Sequence, residues 1–208
     1  MQDLYELTPP GPDIRRALAA LCARDPDFLK IEAEAGPLTV MSLPPNFAAL
    51  VRIIVGQQLA TQAARSIFRR LEQLASFEPA AFLQLTDAQL SAAGLSRAKI
   101  ACCRATAQAL VDGSLDLESC RSLPEAEVLT QLTRIKGIGP WSAEIFMLFA
   151  LGRLDVFPAG DLALQRAYAR IKGLNPVPDA KSLARLVTPL SPYRGAAALL
   201  LWHDYRHA

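Results

Sequence analysis

Apolar residues recur every three or four positions along most of the chain, which predicts a succession of amphipathic helices. The clearest case begins at Asn46, where Phe47, Leu50 and Ile54 fall on one helical face. Segment 28–43 is the least helical part, with a turn expected at Gly36-Pro37, and the chain contains neither an evident strand pair nor an internal repeat. The fold class is therefore predicted to be all-α. Caps, prolines and glycines delimit the helices, which we expect near residues 13–24, 46–56, 61–71, 79–85, 87–92, 96–111, 124–134, 140–151, 161–172, 179–190 and 193–207.

The composition is that of a globular protein with a sizeable core. Of the 208 residues, 51% are hydrophobic and 20% are charged, and a chain of this length needs no metal or disulfide to hold it together. The net charge is only +2, so the chain lacks the broad basic field of many nucleic-acid-binding proteins. Any contact with DNA must therefore come from local geometry.

The cysteine and histidine positions argue against a metal centre. No cysteine pair has the spacing of a zinc or iron–sulfur site, and we expect reduced, structural thiols. The N-terminus does not resemble a signal peptide, and no uncharged stretch is long enough to span a bilayer. We expect a protein of the cytoplasm that associates with the nucleoid and not with a membrane. The residues concerned are Cys22, Cys102, Cys103, Cys120, His203 and His207.

The segment around residues 136–139 is the most informative part of the chain. Gly137 and Gly139 flank Ile138 between two predicted helices, with Lys136 directly before them. Glycine permits a sharp turn and a close approach of the backbone to another surface. The amides that follow belong to a helix N-terminus, which favours an anion such as a DNA phosphate. Many helix pairs are joined by such a turn without any ligand, and Ile138 would fill the core in either case.

Several ordered motifs resemble the helix-hairpin-helix (HhH-GPD) DNA glycosylase superfamily, and within it the 3-methyladenine DNA glycosylase II branch. The hairpin and the Gly/Pro-rich loop that ends in Asp161, 22 residues beyond Gly139, carry the resemblance to the superfamily. The Gln-Gln segment and the closing helix resemble the branch. The resemblance extends from about residue 47 to 202. These motifs are Ile135-Lys-Gly-Ile-Gly-Pro-Trp-Ser-Ala143, Leu151-Gly-Arg-Leu-Asp-Val-Phe-Pro-Ala-Gly-Asp161-Leu162, Ile53-Ile-Val-Gly-Gln-Gln-Leu-Ala60 and Ser191-Pro-Tyr-Arg-Gly-Ala-Ala-Ala-Leu-Leu-Leu-Trp202.

The resemblance implies that Asp161 is the catalytic carboxylate. Its position before a predicted helix also suits an N-cap, and the two roles are compatible. Relatives that cleave the DNA strand carry a lysine two residues after the second hairpin glycine, where this chain has Trp141. The resemblance therefore implies a monofunctional glycosylase, which hydrolyses the N-glycosidic bond without AP lyase activity. The expected substrates are 3-methyladenine- and 7-methylguanine-type bases flipped out of double-stranded DNA.

The resemblance also implies roles for residues around the base. Trp141 and Tyr193 occupy positions of pocket aromatics, and Ile145 stands where the family often has another aromatic. Gln58 stands at the wedge position that fills the gap left by the flipped base. Gln57 either shares this role or braces the loop. For Arg194, a phosphate or pocket contact and a plain surface position both stay open. The hairpin residues Lys136 to Gly139 are expected to bind DNA.

The remaining expectations concern organisation and alternatives. We expect one compact, two-lobed monomer with its active-site cleft between the lobes and without an N-terminal β domain. Residues 1–45 and 115–208 would form one lobe, about 46–114 much of the other, and 132–151 the helix-hairpin-helix. No cofactor is expected, although a monovalent cation at the hairpin stays open. The alternatives are an oxidised-base or mismatch glycosylase of the same superfamily and a non-catalytic DNA-binding module.

Overall fold

A computed structural model describes residues 6–207 and confirms the predicted all-α class. Helices form most of this range, and the only strands among the described residues are β1 (Leu7–Thr8) and β2 (Val40–Met41). The helices are α1 (Pro12–Arg24), α2 (Pro26–Ala35), α3 (Phe47–Gly56), α4 (Thr61–Leu74), α5 (Pro79–Leu83), α6 (Asp87–Ala92), α7 (Arg97–Val111), α8 (Glu125–Thr133), α9 (Pro140–Phe149), α10 (Leu162–Lys172), α11 (Ala180–Leu186) and α12 (Arg194–His207), with 3₁₀ turns at Ser119–Arg121 and Thr188–Leu190.

Short polar side chains start several helices where the sequence places them. Asn46 accepts a hydrogen bond from the Ala49 amide and begins α3, and Ser96 accepts one from the Lys99 amide and begins α7. These side chains satisfy amides that have no partner inside the helix. Thr61 does not have the capping role that its position suggests, because Ala60 is the N-cap and Thr61 is the first helical residue.

The expectation that residues 28–43 are the least helical part is wrong for residues 28–35, which lie in α2, whereas residues 36–43 contain no helix. Asp25-Pro26, which looks like a break, in fact begins α2: the Asp25 side chain accepts a hydrogen bond from the Asp27 amide, and Pro26 fits the first helical turn. The strand pair was also missed. β1 and β2 pair antiparallel, with Leu7 opposite Met41, and two-residue strands are too short for an alternating pattern to be recognisable.

Residues 43–151 form one compact unit, which contains α3 to α9. Helix α3 packs against α4, α7 and α9, and seven of its ten residues are buried. Phe47 of α3 meets Phe82 of α5 edge to face, with ring centroids 5.2 Å apart. The expected lobe boundary near residue 115 does not coincide with this unit. Residues 115–151 belong with 43–114 because α8 packs on α9 and α9 packs on α3.

Residues 6–42 and 152–207 form the second unit, which contains α1, α2, α10, α11 and α12. Helix α12 is its centre and packs against α1, α2 and α10. Every residue from Gly195 to Leu201 is buried, as is usual for a helix surrounded by others. The buried His203 donates from Nε2 to the carbonyl oxygens of Ala35 and Gly36, both at 3.1 Å, since these groups can only accept. This bond ties α12 to the end of α2.

Within residues 6–207, no helix combines the length and the apolar character that a membrane span requires.

Candidate active site

The hairpin joins α8 to α9 through a six-residue turn. Gly139 is the N-cap of α9, and the buried Ile138 donates its amide to the carbonyl oxygen of Ile135 at 3.0 Å. Lys136 and Gly137 lie exposed on the other side of the turn. The turn thus places Ile138 inside the first unit and leaves backbone at a helix N-terminus, where amides favour an anion.

The two hairpin glycines are required for different reasons. Gly137 has φ +101°, and a Cβ at this position would lie 2.8 Å from both Cβ and Sγ of Cys102. Gly139 has φ −93°, and a Cβ there would meet nothing within 4 Å. Gly137 is therefore required by the fold, whereas Gly139 leaves the helix N-terminus open to an approaching molecule.

Gln57, one of the two predicted wedge residues, is bound to the hairpin. Its side-chain Nε2 donates to the carbonyl oxygen of Gly137 at 3.0 Å and to Oγ of Ser142 at 2.9 Å. Gln58 is exposed and has φ +55°, an uncommon conformation for a residue other than glycine. The structure thus separates the two glutamines, with Gln57 bracing the hairpin and Gln58 presented to solvent.

Lys99 is a site residue that the sequence analysis missed. Its Nζ donates to the carbonyl oxygens of Val55 at 2.7 Å and of Gln57 at 2.9 Å, at the end of α3. Burial lowers the pKa of Lys99. These contacts join residues more than forty positions apart, so no local sequence pattern indicates them.

Helix α9 also carries the predicted pocket residues of the first unit. Trp141 lies half-buried in the first turn, and Ile145 lies one turn further and is 6% exposed. Glu144, which the sequence analysis did not single out, stands between them. Burial raises the pKa of Glu144 to about 7. A carboxyl group on this helix is therefore poised between its neutral and charged forms at neutral pH.

Asp161 is the N-cap of α10 in the second unit. Its Oδ1 accepts hydrogen bonds from the amides of Ala163 at 2.9 Å and Leu164 at 3.2 Å, and from the indole Nε1 of Trp202 at 3.2 Å. The preceding loop is fixed as well, since the buried Gln165 donates to the carbonyl oxygen of Ala159 at 2.9 Å. Trp202 was noted only as part of the closing helix, and its bond to Asp161 spans 41 positions.

Tyr193 directly precedes α12, and Arg194 is the first residue of this helix. The guanidinium of Arg24 lies over the Tyr193 ring, 5.9 Å from its centroid. Arg194 donates from Nε and from its terminal nitrogen to the two oxygens of Asp155, at 2.9 and 2.8 Å. Burial alone would raise the pKa of Asp155, but hydrogen bonds from Arg194 and Ser191 outweigh it and keep this pKa below its ordinary value. Arg194 thus holds the loop before α10.

Comparison with known proteins identifies the family. A model of the HhH-GPD superfamily base excision DNA repair proteins matches residues 51–192, more than half of the chain. The chain belongs to the HhH-GPD superfamily. DNA-3-methyladenine glycosylase 1 of Schizosaccharomyces pombe is 30% identical over 180 residues, which cover 84% of this chain and 79% of that protein.

Two solved structures resemble the chain over nearly its full length. The 3-methyladenine DNA glycosylase of S. pombe in complex with abasic DNA matches with a TM-score of 0.83 and 28% identity, covering 90% of this chain and 95% of that one. The DNA-3-methyladenine glycosidase of Bacillus halodurans matches with a TM-score of 0.78 and 34% identity, covering 96% and 92%. The resemblance of the motifs to the HhH-GPD superfamily is therefore confirmed.

No group of three or more His, Cys, Asp or Glu side chains in the described part of the chain is arranged to hold a metal ion. Of the cysteines in this part, Cys102, Cys103 and Cys120 are buried and Cys22 is partly so. Burial raises the pKa of Cys102 to about 11, which makes this thiol a poor nucleophile.

The two glycines of this HhH-GPD hairpin should respond differently to the same substitution. We expect Gly137→Ala to lower the free energy of unfolding by about 2–4 kcal/mol, because it combines a positive φ with overlap on Cys102. Gly139→Ala should change it by less than about 1 kcal/mol. Denaturant unfolding of both variants measures the difference. Equal losses of stability would show that the assignment of roles is wrong.

Glu144 should make folding stability depend on pH. Its pKa in the folded state is about 7, against an ordinary value of 4.5. Its stabilising contribution is therefore complete below about pH 4.5 and is lost as the pH rises through 7. As the pH rises from 5 to 8, the unfolding free energy of the wild type should therefore fall by about 1–3 kcal/mol relative to that of Glu144→Gln. The exposed Glu127→Gln is the control, and parallel pH profiles for wild type and Glu144→Gln would contradict this account.

Proposed function

We propose that this protein is a monofunctional DNA glycosylase that hydrolyses the N-glycosidic bond of alkylated purines in double-stranded DNA. The observation that carries the proposal is the fixed carboxylate of Asp161, at the end of the Gly/Pro-rich loop and at the N-terminus of α10. The names of the relatives support the substrate class, since they are described as 3-methyladenine glycosylases.

Hydrolysis of an N-glycosidic bond requires a carboxylate that is held in a fixed position. Cleavage of an N-glycosidic bond builds positive charge on the sugar in the transition state, and a fixed anion stabilises that charge or orients the attacking water. Three N–H groups hold Oδ1 of Asp161. The carboxylate therefore needs little reorganisation as the charge develops.

An alkylated purine suits a site with one such carboxylate. Alkylation at N3 or N7 gives the base a positive charge, so it leaves without a proton from a general acid. An aromatic surface binds a cationic base by stacking. Each unit offers one such surface, Trp141 on α9 in the first and Tyr193 directly before α12 in the second. Water is the only co-substrate of this reaction, so we propose that it uses no cofactor.

The hairpin supplies the contact with the DNA backbone. A Cβ at Gly139, the N-cap of α9, would meet nothing within 4 Å, and the exposed Lys136 adds a charge beside this helix N-terminus. A helix N-terminus binds a phosphate in this way without reading the base sequence.

The chain has no lysine at the position from which lyase relatives attack the sugar. That position is Trp141. Lys99, on α7, is engaged with two carbonyl oxygens of the α3 terminus. A Schiff base with the sugar requires a free amine, so we propose that the product is an intact strand with an abasic site.

A panel of duplexes, each with one lesion, tests the substrate class and the product. Under single-turnover conditions, 3-methyladenine and 7-methylguanine should be released at least ten times faster, relative to their uncatalysed loss, than 8-oxoguanine or a mismatched thymine. Strand breaks should appear only after alkali treatment. The matched control is a duplex with an undamaged purine at the same position.

Other outcomes have defined meanings. Preferred release of 8-oxoguanine or of the mismatched base would contradict the proposed substrate class. Strand cleavage without alkali, together with a covalent complex trapped by borohydride, would contradict the monofunctional mechanism. Binding without any base release would leave a DNA-binding module and contradict the catalytic proposal.

A further inference from the structure

The turn after α3 is held from two directions. Lys99 binds the carbonyl oxygens of Val55 and Gln57, which lie at the C-terminal end of α3 where helical carbonyls lack partners inside the helix. The Gln57 carboxamide binds the Gly137 carbonyl oxygen and the Ser142 hydroxyl. An amide NH₂ has two N–H donors, so both donors of Gln57 are used on the hairpin.

The residues that follow point outward from this anchored point. Gln58 is exposed at φ +55°, and Leu59 is 41% exposed. The Leu59 amide donates to the Gly56 carbonyl oxygen at 3.3 Å, which closes the turn tightly. The position of Gln58 relative to the hairpin is therefore set by the side chain of Gln57 and by the ammonium group of Lys99.

We propose that Gln57 and Lys99 are positioning residues, which join the turn at residues 56–59 to the DNA-binding hairpin. Docking of the hairpin on a phosphate would then also set where Gln58 enters the duplex. The proposal rests on the proposed DNA glycosylase function and on the wedge role of Gln58. It assigns to Gln57 a task distinct from intercalation.

A purely stabilising role would have different consequences. Half-exposed hydrogen bonds add only modestly to stability, whereas a side chain that must enter a stacked duplex has to be placed to within a fraction of an ångström. Loss of Gln57 should therefore impair wedge insertion far more than folding. It should have little effect if Gln58 is already mutated.

A double-mutant cycle between Gln57→Leu and Gln58→Ala tests this coupling. The readout is the fluorescence of 2-aminopurine beside a tetrahydrofuran abasic-site analogue, which reports unstacking on wedge insertion and requires no base excision. We expect each single variant to reduce the insertion rate about tenfold, and the double variant to be no slower than Gln58→Ala alone. The exposed Gln62→Leu is the matched control and should behave as wild type.

Lys99 provides a second test with a conservative rescue. Lys99→Met should slow insertion about as much as Gln57→Leu. Lys99→Arg, which keeps cationic donors for the two carbonyl oxygens, should restore most of the rate. Affinity for an undamaged duplex should stay within about twofold throughout, because the hairpin itself is intact.

Multiplicative losses in the double variant, or no rescue by Lys99→Arg, would overturn the proposal. So would an unchanged fluorescence signal in the wild type, since Gln58 would then not be a wedge. If the wild type inserts its wedge but releases no alkylated base, the positioning proposal stands and the proposed function fails. The two proposals are thus distinguishable.

Discussion

The hydrogen bonds to Oδ1 of Asp161 are the interaction on which the proposed chemistry depends. Two amides at the start of α10 and the indole of Trp202 converge on this one oxygen. A helix N-terminus needs an acceptor and favours a negative charge, and the proposed reaction needs a fixed negative charge beside the sugar. Asp161 can meet both requirements because the hydrogen bonds that cap the helix also hold its carboxylate in place. The surrounding loop is fixed in turn by Gln165 and by the pair of Arg194 with Asp155.

The hairpin of the first unit also combines a structural role with a proposed binding role. Gly137 is in a left-handed conformation directly against Cys102, and its carbonyl oxygen accepts a hydrogen bond from Gln57. The inner side of the turn therefore packs against Cys102 and is hydrogen-bonded to the residue that follows α3. Gly139 leaves the helix N-terminus uncovered, and this is the side available to a phosphate. In the proposed function, the backbone at the start of α9 supplies the contact with a phosphate, whereas the amides at the start of α10 hold Asp161.

Local signals predicted most of the fold and the order of the motifs. Caps such as Asn46, Ser96 and Asp161 act within three residues, so the sequence displays them directly. The same local view missed α2, which begins at Asp25-Pro26, and it placed a lobe boundary near residue 115 where long-range packing places none. Lys99 and Trp202 were missed because their partners lie about forty residues away. Glu144 was missed because its shifted pKa arises from burial alone.

The most direct test of the account is the substitution Asp161→Asn, with Asp179→Asn as its matched control. Asparagine caps a helix about as well as aspartate, so both variants should keep their unfolding free energy within about 0.5 kcal/mol of wild type. Asp179 caps α11 in the same way through the Ser182 amide but has no part in the proposed chemistry. Asp161→Asn should bind a 7-methylguanine duplex normally and release the base at least about 100-fold more slowly, while Asp179→Asn should be fully active. Base release by Asp161→Asn at a rate near that of the wild type would contradict the account.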